Sequence, residues 1–321
     1  MPALYGRTLP LILAPMAGVT DAPMRRLCRD FGADFCYGEM TAADADDARR
    51  AKFERRLHQR DEPRPWIVQL AGAEPEVLAQ AAQRHQQLGA DVIDINMGCP
   101  AKKVRKKACG SALMGDPGLV RAIFEATREA CTVPLSVKIR TGLHRQARNA
   151  VEIAELAERC GLDAIAVHGR TRADMYKGEA EYATIRAVKQ AITLPVIANG
   201  DIVDGPSAER ALERSGADAL MIGRAAVGRP WIFAELRAYL DGRPQPAAPT
   251  LAALAPWIER HAREVDAHYG PRLGLKVFRK HLAGWLAHFE LDKAQRTAIL
   301  RAEDRDSGLA LLRGSLPALA A

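Results

Sequence analysis

No C-x-x-C pair occurs among the six cysteines at 28, 36, 99, 109, 131 and 160, and none lies beyond residue 160. That spacing suggests neither a disulfide framework nor a zinc site, and it fits a reducing cytoplasm. No apolar run approaches the roughly twenty residues of a membrane span. Leu9 to Val19 is apolar enough for a secretion signal, but it carries Pro10 and Pro15 and has no basic region before it, so it reads as a strand. No G-x-G-x-x-G follows an apolar run, which argues against a fixed Rossmann nucleotide site. One scarcity is local: there is no acid between Asp94 and Asp116. Lys102, Lys103, Arg105, Lys106 and Lys107 crowd into that gap, and either solvent or an anionic partner must settle them.

The composition is that of an ordinary globular protein: 321 residues, 48% hydrophobic and 26% charged, enough for one large or two medium domains. A formal charge of +7 and a pI near 9.2 favour a polyanionic partner, though an excess this modest also occurs in proteins that bind nothing acidic.

From the first strand to about residue 235 one unit repeats eight times: a short apolar run ending in Gly, Asn, Asp or Thr, a loop, then a stretch of helical periodicity. The predicted strands are 11–18, 35–40, 66–72, 92–98, 135–142, 164–171, 195–202 and 219–225. Strands alternating with helices give a parallel α/β sheet, and at about 250 residues a closed (β/α)8 TIM barrel is favoured over an open doubly wound sheet. Residues 241–250, DGRPQPAAPT, read as a Pro-rich linker. Beyond them no strand is evident and helices are predicted over 252–268, 275–288 and 292–304. The chain therefore divides into a barrel domain (1–240), the linker (241–250) and a small all-helical domain (251–321).

In the last of these, Lys276, Arg279, Lys280 and His281 fall close together while Val277, Leu282, Trp285, Leu286 and Phe289 can supply an apolar face, the pattern of a basic amphipathic helix. His261 with His268, and His281 with His288, lie two helical turns apart, but no carboxylate or cysteine completes a ligand set, so no metal is expected. The basic run Arg49, Arg50, Lys52, Arg55 and Arg56 has acids upstream and reads as a solvated helix after strand two.

A barrel of this kind carries its active site at the carboxyl ends of its strands. Polar residues collect there in the phase opposite the apolar ones: Gln69, Asp94, Asn96, Lys138, Arg140, His168, and Asn199 with Asp201 near the end of strand seven. Burying an unpaired lysine costs several kcal/mol, so Lys138 needs a negative partner, either Asp94 in an internal ion pair or a bound anion. The loops NGDIVDG and IGRAAVGRP after strands seven and eight allow backbone amides to approach a phosphate, with Arg224 adding a charged donor. A central lysine, a phosphate site and amides between them suit flavin mononucleotide. Gly98 lets the backbone bend after the fourth strand and Pro100 stops the ladder, which leaves the Cys99 thiol at the mouth.

The chain resembles the tRNA-dihydrouridine synthases, most closely their bacterial B type. The likeness is carried by APMAGVTD (14–21), DINMGCPAKKV (94–104), GSALM (110–114), KIRTG (138–142), VHGRTR (167–172), GEAEY (178–182), PVIANGDI (195–202), DALMIGRAAVGRPWIF (218–233) and RKH (279–281). It implies reduction of a tRNA uridine, in the D-loop, to 5,6-dihydrouridine, using FMN that NADPH has first reduced. By the same resemblance Pro15, Met16, Ala17, Gln69, Lys138, His168, Asn199, Gly200, Asp201, Gly223 and Arg224 would hold FMN, and Cys99 would be the proton donor. An ordinary thiol, titrating near 8.5, is mostly protonated at neutral pH and is a competent general acid. Asn96 would contact the uracil edge or orient the flavin, while Lys102, Lys103, Arg105, Lys106, Lys107, Arg279, Lys280 and His281 would hold the tRNA backbone. Cys109 reads as a small buried residue. The resemblance implies tRNA and NADPH as partners; a cytoplasmic monomer is expected, with neither membrane nor metal bound. Two other readings share part of this pattern: a flavin dehydrogenase for a free pyrimidine, and a noncatalytic RNA-binding barrel.

Overall fold

The computed structural model describes residues 4–44, 62–101 and 109–315. The basic run at 49–56 and the loop from Lys102 to Lys107 lie outside the described residues.

Strand β1 (Leu11–Leu13) leads through helix α1 (Ala22–Asp30) to two short strands, β2 (Phe35–Cys36) and β3 (Thr41–Ala42). Strand and helix then alternate: β4 (Ile67–Ala71), α2 (Pro75–Gln87), β5 (Val92–Met97), α3 (Pro117–Ala130), β6 (Leu135–Arg140), α4 (Ala150–Arg159), β7 (Ala164–His168), α5 (Ala183–Ala191), β8 (Val196–Asn199), α6 (Gly205–Ser215) and β9 (Ala219–Ile222). Every pairing is parallel, in the order β2-β1-β9-β8-β7-β6-β5-β4-β3. The ring closes because Tyr37, next after β2, bridges Ile67 of β4. The predicted strand 35–40 is thus not one straight element. It bends after Tyr37, pairing first with β1 and then, as β3, with β4, so an eight-stranded barrel carries nine short strands.

Alternation along the strands builds two cores. Leu11, Leu13, Val68, Leu70, Ile93, Ile95, Val137, Ile139, Ile165 and Val167 face outward and are covered by the helices. Ile12, Phe35, Tyr37, Ile67, Val92, Ala164, Ala166, Ile197, Ala219 and Met221 point inward and form a separate cluster with Leu4. Tyr5 meets Phe35 edge-on at 5.5 Å beside it, so the amino-terminal end of the barrel is filled. Asp116 caps α3 as its sequence suggests, accepting from Leu119 N at 3.0 Å, with Pro117 in the first turn.

Helix α7 (Ile232–Leu240) completes the ring, and after residues 241–250 come α8 (Leu251–Tyr269), α9 (Pro271–Leu286), α10 (Lys293–Arg301) and α11 (Arg305–Gly314). The predicted helix 292–304 ends early, because Asp304 caps a new helix by accepting from Ser307 N. No helix among the described residues is long and apolar enough to cross a membrane. The amphipathic reading of 276–289 needs correction. His281 is only 1% exposed and shares the buried face of α9 with Leu282 and with Phe278 and Trp285, three residues before it and four after.

The helical domain sits on the barrel by aromatic and polar contacts. Phe31 meets Trp257 at 4.8 Å, Trp231 meets Trp285 at 5.7 Å, and Arg26 pairs with Glu264 at 3.0 Å. Two glycines permit closest approach: Gly228, at φ +73°, lies against the Gly284–Trp285 peptide, where a Cβ would collide. Gly228→Ala should therefore lose on the order of 3 kcal/mol, from the left-handed backbone plus overpacking. Thermal unfolding of the variant checks this, and an unchanged Tm would show that the junction can yield.

Candidate active site

The inward phase turns polar above the apolar cluster, and strand register decides which residues meet. Gln69 stands opposite Asp94, Asn96 opposite Lys138, and His168 opposite Asn199. Asp94 is fully buried, and its carboxylate accepts from Ser136 Oγ at 2.6 Å and Gln69 Nε2 at 2.8 Å. Burial pushes its pKa up to about 6, against those two hydrogen bonds and the charge of Lys138. A carboxylate can only accept, so Gln69 turns its NH2 toward Asp94 and offers Oε1 to Asn96 Nδ2 at 2.7 Å. Asn96 Oδ1 in turn accepts from Cys99 N at 3.0 Å. From the other side Ser111 holds the Cys99 carbonyl, through Oγ at 2.9 Å and N at 3.1 Å. The half-buried Cys99 is thus pinned by its backbone on both sides, while Cys109 is buried at the start of the short helix Gly110–Gly115.

Lys138 is 8% exposed and its Nζ donates to Asn199 Oδ1 at 3.0 Å, while Asn199 Nδ2 donates to the Met221 carbonyl at 2.7 Å. Among the described residues it has no carboxylate within 4.0 Å, so the internal ion pair with Asp94 is not formed. Burial, with the nearby Arg140 charge, lowers its pKa to about 8, and Asp94 opposes that shift. His168 is driven well below the usual range by burial and by the charges of Lys138 and Arg140, so its ring is neutral. Arg170 Nη1 lies 3.4 Å from its Nε2 and can only donate, which puts the ring proton on Nδ1.

The loops at the mouth are tied down by two buried arginines. Arg140 donates to the carbonyls of Gly98 at 2.7 Å, Thr171 at 3.0 Å and Met175 at 2.8 Å. Arg170 grips both oxygens of Asp201, at 2.9 and 2.7 Å, and Ala180 N adds a bond of 2.7 Å to the same carboxylate. Asp201 takes φ +50°, and at Gly200 a Cβ would strike Ala180, so the turn after β8 packs directly on the 178–182 loop. Arg224 extends over the ring of Tyr176 at 5.3 Å and reaches Asp201 at 3.4 Å. Pro15, Met16 and Ala17 follow β1, and the Met16 sulfur lies 3.8 Å from where a Cβ on Gly223 would stand.

The residues expected to hold a flavin, together with Asn96 and Cys99, all stand on the barrel strands or just past their carboxyl ends. The expected RNA contacts of α9 do not stay together: His281 is buried, Arg279 Nη2 is spent on the Ala302 carbonyl at 2.7 Å, and Lys280 alone is exposed, donating to Gly18 O at 3.0 Å. Sequence reasoning passed over Tyr176, which is 54% exposed at the mouth with Arg140 and Arg224 over its ring. An aromatic among the charged residues of DMYKGE is the available signal.

A model of the family described as "Dihydrouridine synthase (Dus)" matches residues 12–319. The chain belongs to this family. It is 50% identical over 309 residues to tRNA-dihydrouridine synthase B of Pseudomonas aeruginosa, spanning 95% of this chain and 93% of that protein. It is 48% identical over 289 residues to tRNA-dihydrouridine synthase B of Escherichia coli K12, spanning 89% and 90%. Among solved structures, FabK from Thermotoga maritima aligns with a TM-score of 0.42 at 18% identity, over 69% of this chain and 60% of that one. Family membership makes the chain a dihydrouridine synthase, an oxidoreductase of tRNA processing, and sets aside the free-pyrimidine and noncatalytic readings.

The shifted lysine has a consequence for stability. Its folded pKa of about 8 lies below the unfolded value of 10.5, so between those pH values unfolding takes up a proton and folding becomes more favourable as pH rises. In cofactor-free protein the stability of wild type relative to Lys138→Met should climb by on the order of 3 kcal/mol between pH 7.5 and 10.5. Denaturant unfolding across that range tests it, and a flat difference would mean that the ammonium is well solvated.

Proposed function

We propose that the chain reduces a D-loop uridine of tRNA to 5,6-dihydrouridine with FMN as its bound cofactor, NADPH as electron source and Cys99 as proton donor. The observation that carries the reading is the buried Lys138, whose only hydrogen bond among the described residues goes to a neutral amide. Such a group is suited to an anionic ligand, and the pyrimidine edge of a reduced flavin is one. Lys138, Gln69 and Asn199 would hold that edge, Pro15, Met16, Ala17 and His168 the ring, and Gly200, Gly223 and Arg224 the phosphate. Asp201, already committed to Arg170, would support the phosphate turn rather than meet the ligand.

The bound, reduced FMN would supply the hydride that uracil C6 takes up. Cys99 gives the proton to C5 from the opposite side, which completes saturation of the C5–C6 bond. The resulting thiolate recovers its proton from solvent. Asn96, whose amide is turned by Gln69, would contact the uracil edge, and the bonds from Asn96 and Ser111 to the Cys99 backbone hold the thiol in one place while the base is brought to it. A uridine within folded tRNA must leave its stack to reach this mouth. Lys102, Lys103, Arg105, Lys106, Lys107 and Lys280 would grip the backbone around it, with Arg279 and His281 supporting α9 from within.

Purified protein should be yellow, with the absorbance of one FMN per chain. Protein that stays colourless and takes up no added FMN would sink the assignment. Cys99→Ala should keep FMN and its reduction by NADPH but oxidise the flavin with tRNA about 10² to 10⁴ times more slowly, the usual contribution of a general acid. Cys109→Ala should retain most of the rate. Stopped-flow absorbance separates the two half-reactions, and the reverse ranking of the cysteines would move the acid.

A further inference from the structure

Where the helical domain meets the barrel, one set of polar atoms is left unspent. Asp21 caps α1 through Oδ1, which accepts from Met24 N at 3.0 Å, but its Oδ2 has no hydrogen bond. His261 of α8 and His281 of α9 face it, and one ligand atom from each of the three lies within 4.8 Å of the others. All three residues are buried. His261 Nε2 and both ring nitrogens of His281 also lack a hydrogen bond. Buried polar atoms nearly always have a partner, so three such atoms, one from each residue and gathered at one point, call for a shared one, which leaves only the second His281 nitrogen unserved. Burial drives both imidazoles below their usual range, His281 to about 4, so both rings are neutral; His281 has a free lone pair, and His261 can offer one from Nε2 by moving its proton to Nδ1.

We propose that Asp21, His261 and His281 bind a first-row divalent metal ion, of which Zn2+ is the representative, tying the helical domain to the barrel. Two neutral imidazoles and a carboxylate form a donor set that such ions accept. Along the sequence each histidine has its partner on its own helix; the fold instead joins the two helices and takes the carboxylate from the barrel. The surrounding charges permit a cation. Arg25 is engaged by Glu62, Lys280 by Gly18 O, and Glu39 stands near Asp21. Tyr269 hydrogen-bonds toward the same carboxylate and favours its charged form.

A metal must compete with a water for this place. Three atoms no more than 4.8 Å apart share a centre about 2.8 Å or less from each, a water-like distance, whereas a zinc ligand lies at about 2.0–2.2 Å. Occupation by metal draws the three groups together by a fraction of an ångström. It also places the His261 proton on Nδ1 and releases the contact of 3.4 Å from Trp285 Nε1.

The deciding experiment uses the full chain, stripped with chelator and returned to Zn2+. One equivalent retained, lost in both Asp21→Asn and His281→Gln, with Tm raised by roughly 2–4 °C and restored by chelator, is the expected result. Equal zinc in wild type and both variants would overturn the proposal. If the variants do not fold, an anomalous difference map from wild-type crystals grown with Zn2+ decides: a peak bonded to the three atoms supports the site, and a light-atom water there refutes it.

Discussion

A cation closed into the middle of a parallel barrel is the constraint on which the site is built. Lys138 is buried with an amide oxygen as its hydrogen-bond partner, and Arg140, two residues on and facing the same way, makes its charge harder to keep. Asp94 is near enough to help but spends both oxygens on Ser136 and Gln69. A core that satisfied itself would have joined Lys138 to Asp94. Leaving the two apart stores an unmet demand for negative charge at the barrel mouth, and a ligand can supply it.

The rest of the mouth resists movement for a related reason. Asp94 can only accept hydrogen bonds, so it sets the sense of Gln69, then of Asn96, and so reaches the amide of Cys99. Arg140 and Arg170 direct their donors to loop carbonyls and to Asp201, which ties the loops after β5, β7 and β8 to the barrel interior. The proton donation proposed for Cys99 would gain from this, since the approach geometry is set before substrate arrives.

Much of this was legible because the side-chain period of a strand is two. Val137 and Ile139 alternate with Lys138 and Arg140, so the phase alone assigned the lysine to the interior and placed Gln69, Asn96, His168 and Asn199 beside it. Helix phase was read less well. His281 sits among basic residues in the sequence, yet its spacing from Phe278 and Trp285 places it on the buried face. Arg279 looked equally free until the chain turned back and brought the Ala302 carbonyl to it. The bend after Tyr37 depends on pairing with two different neighbours, a property that no local window of sequence contains.

By itself the sequence determined the barrel, the polar inward phase at the strand ends, the position of Cys99 just past β5, and the family. These follow from periodicity and from contiguous motifs, both of which are local. Tertiary structure alone decided that Lys138 meets Asn199 rather than Asp94, that Asp201 is held by Arg170, and that Asp21 lies with His261 and His281. Each of those outcomes joins residues brought together by register or by packing between elements, and distances of that kind are set by the whole fold rather than by any stretch of chain.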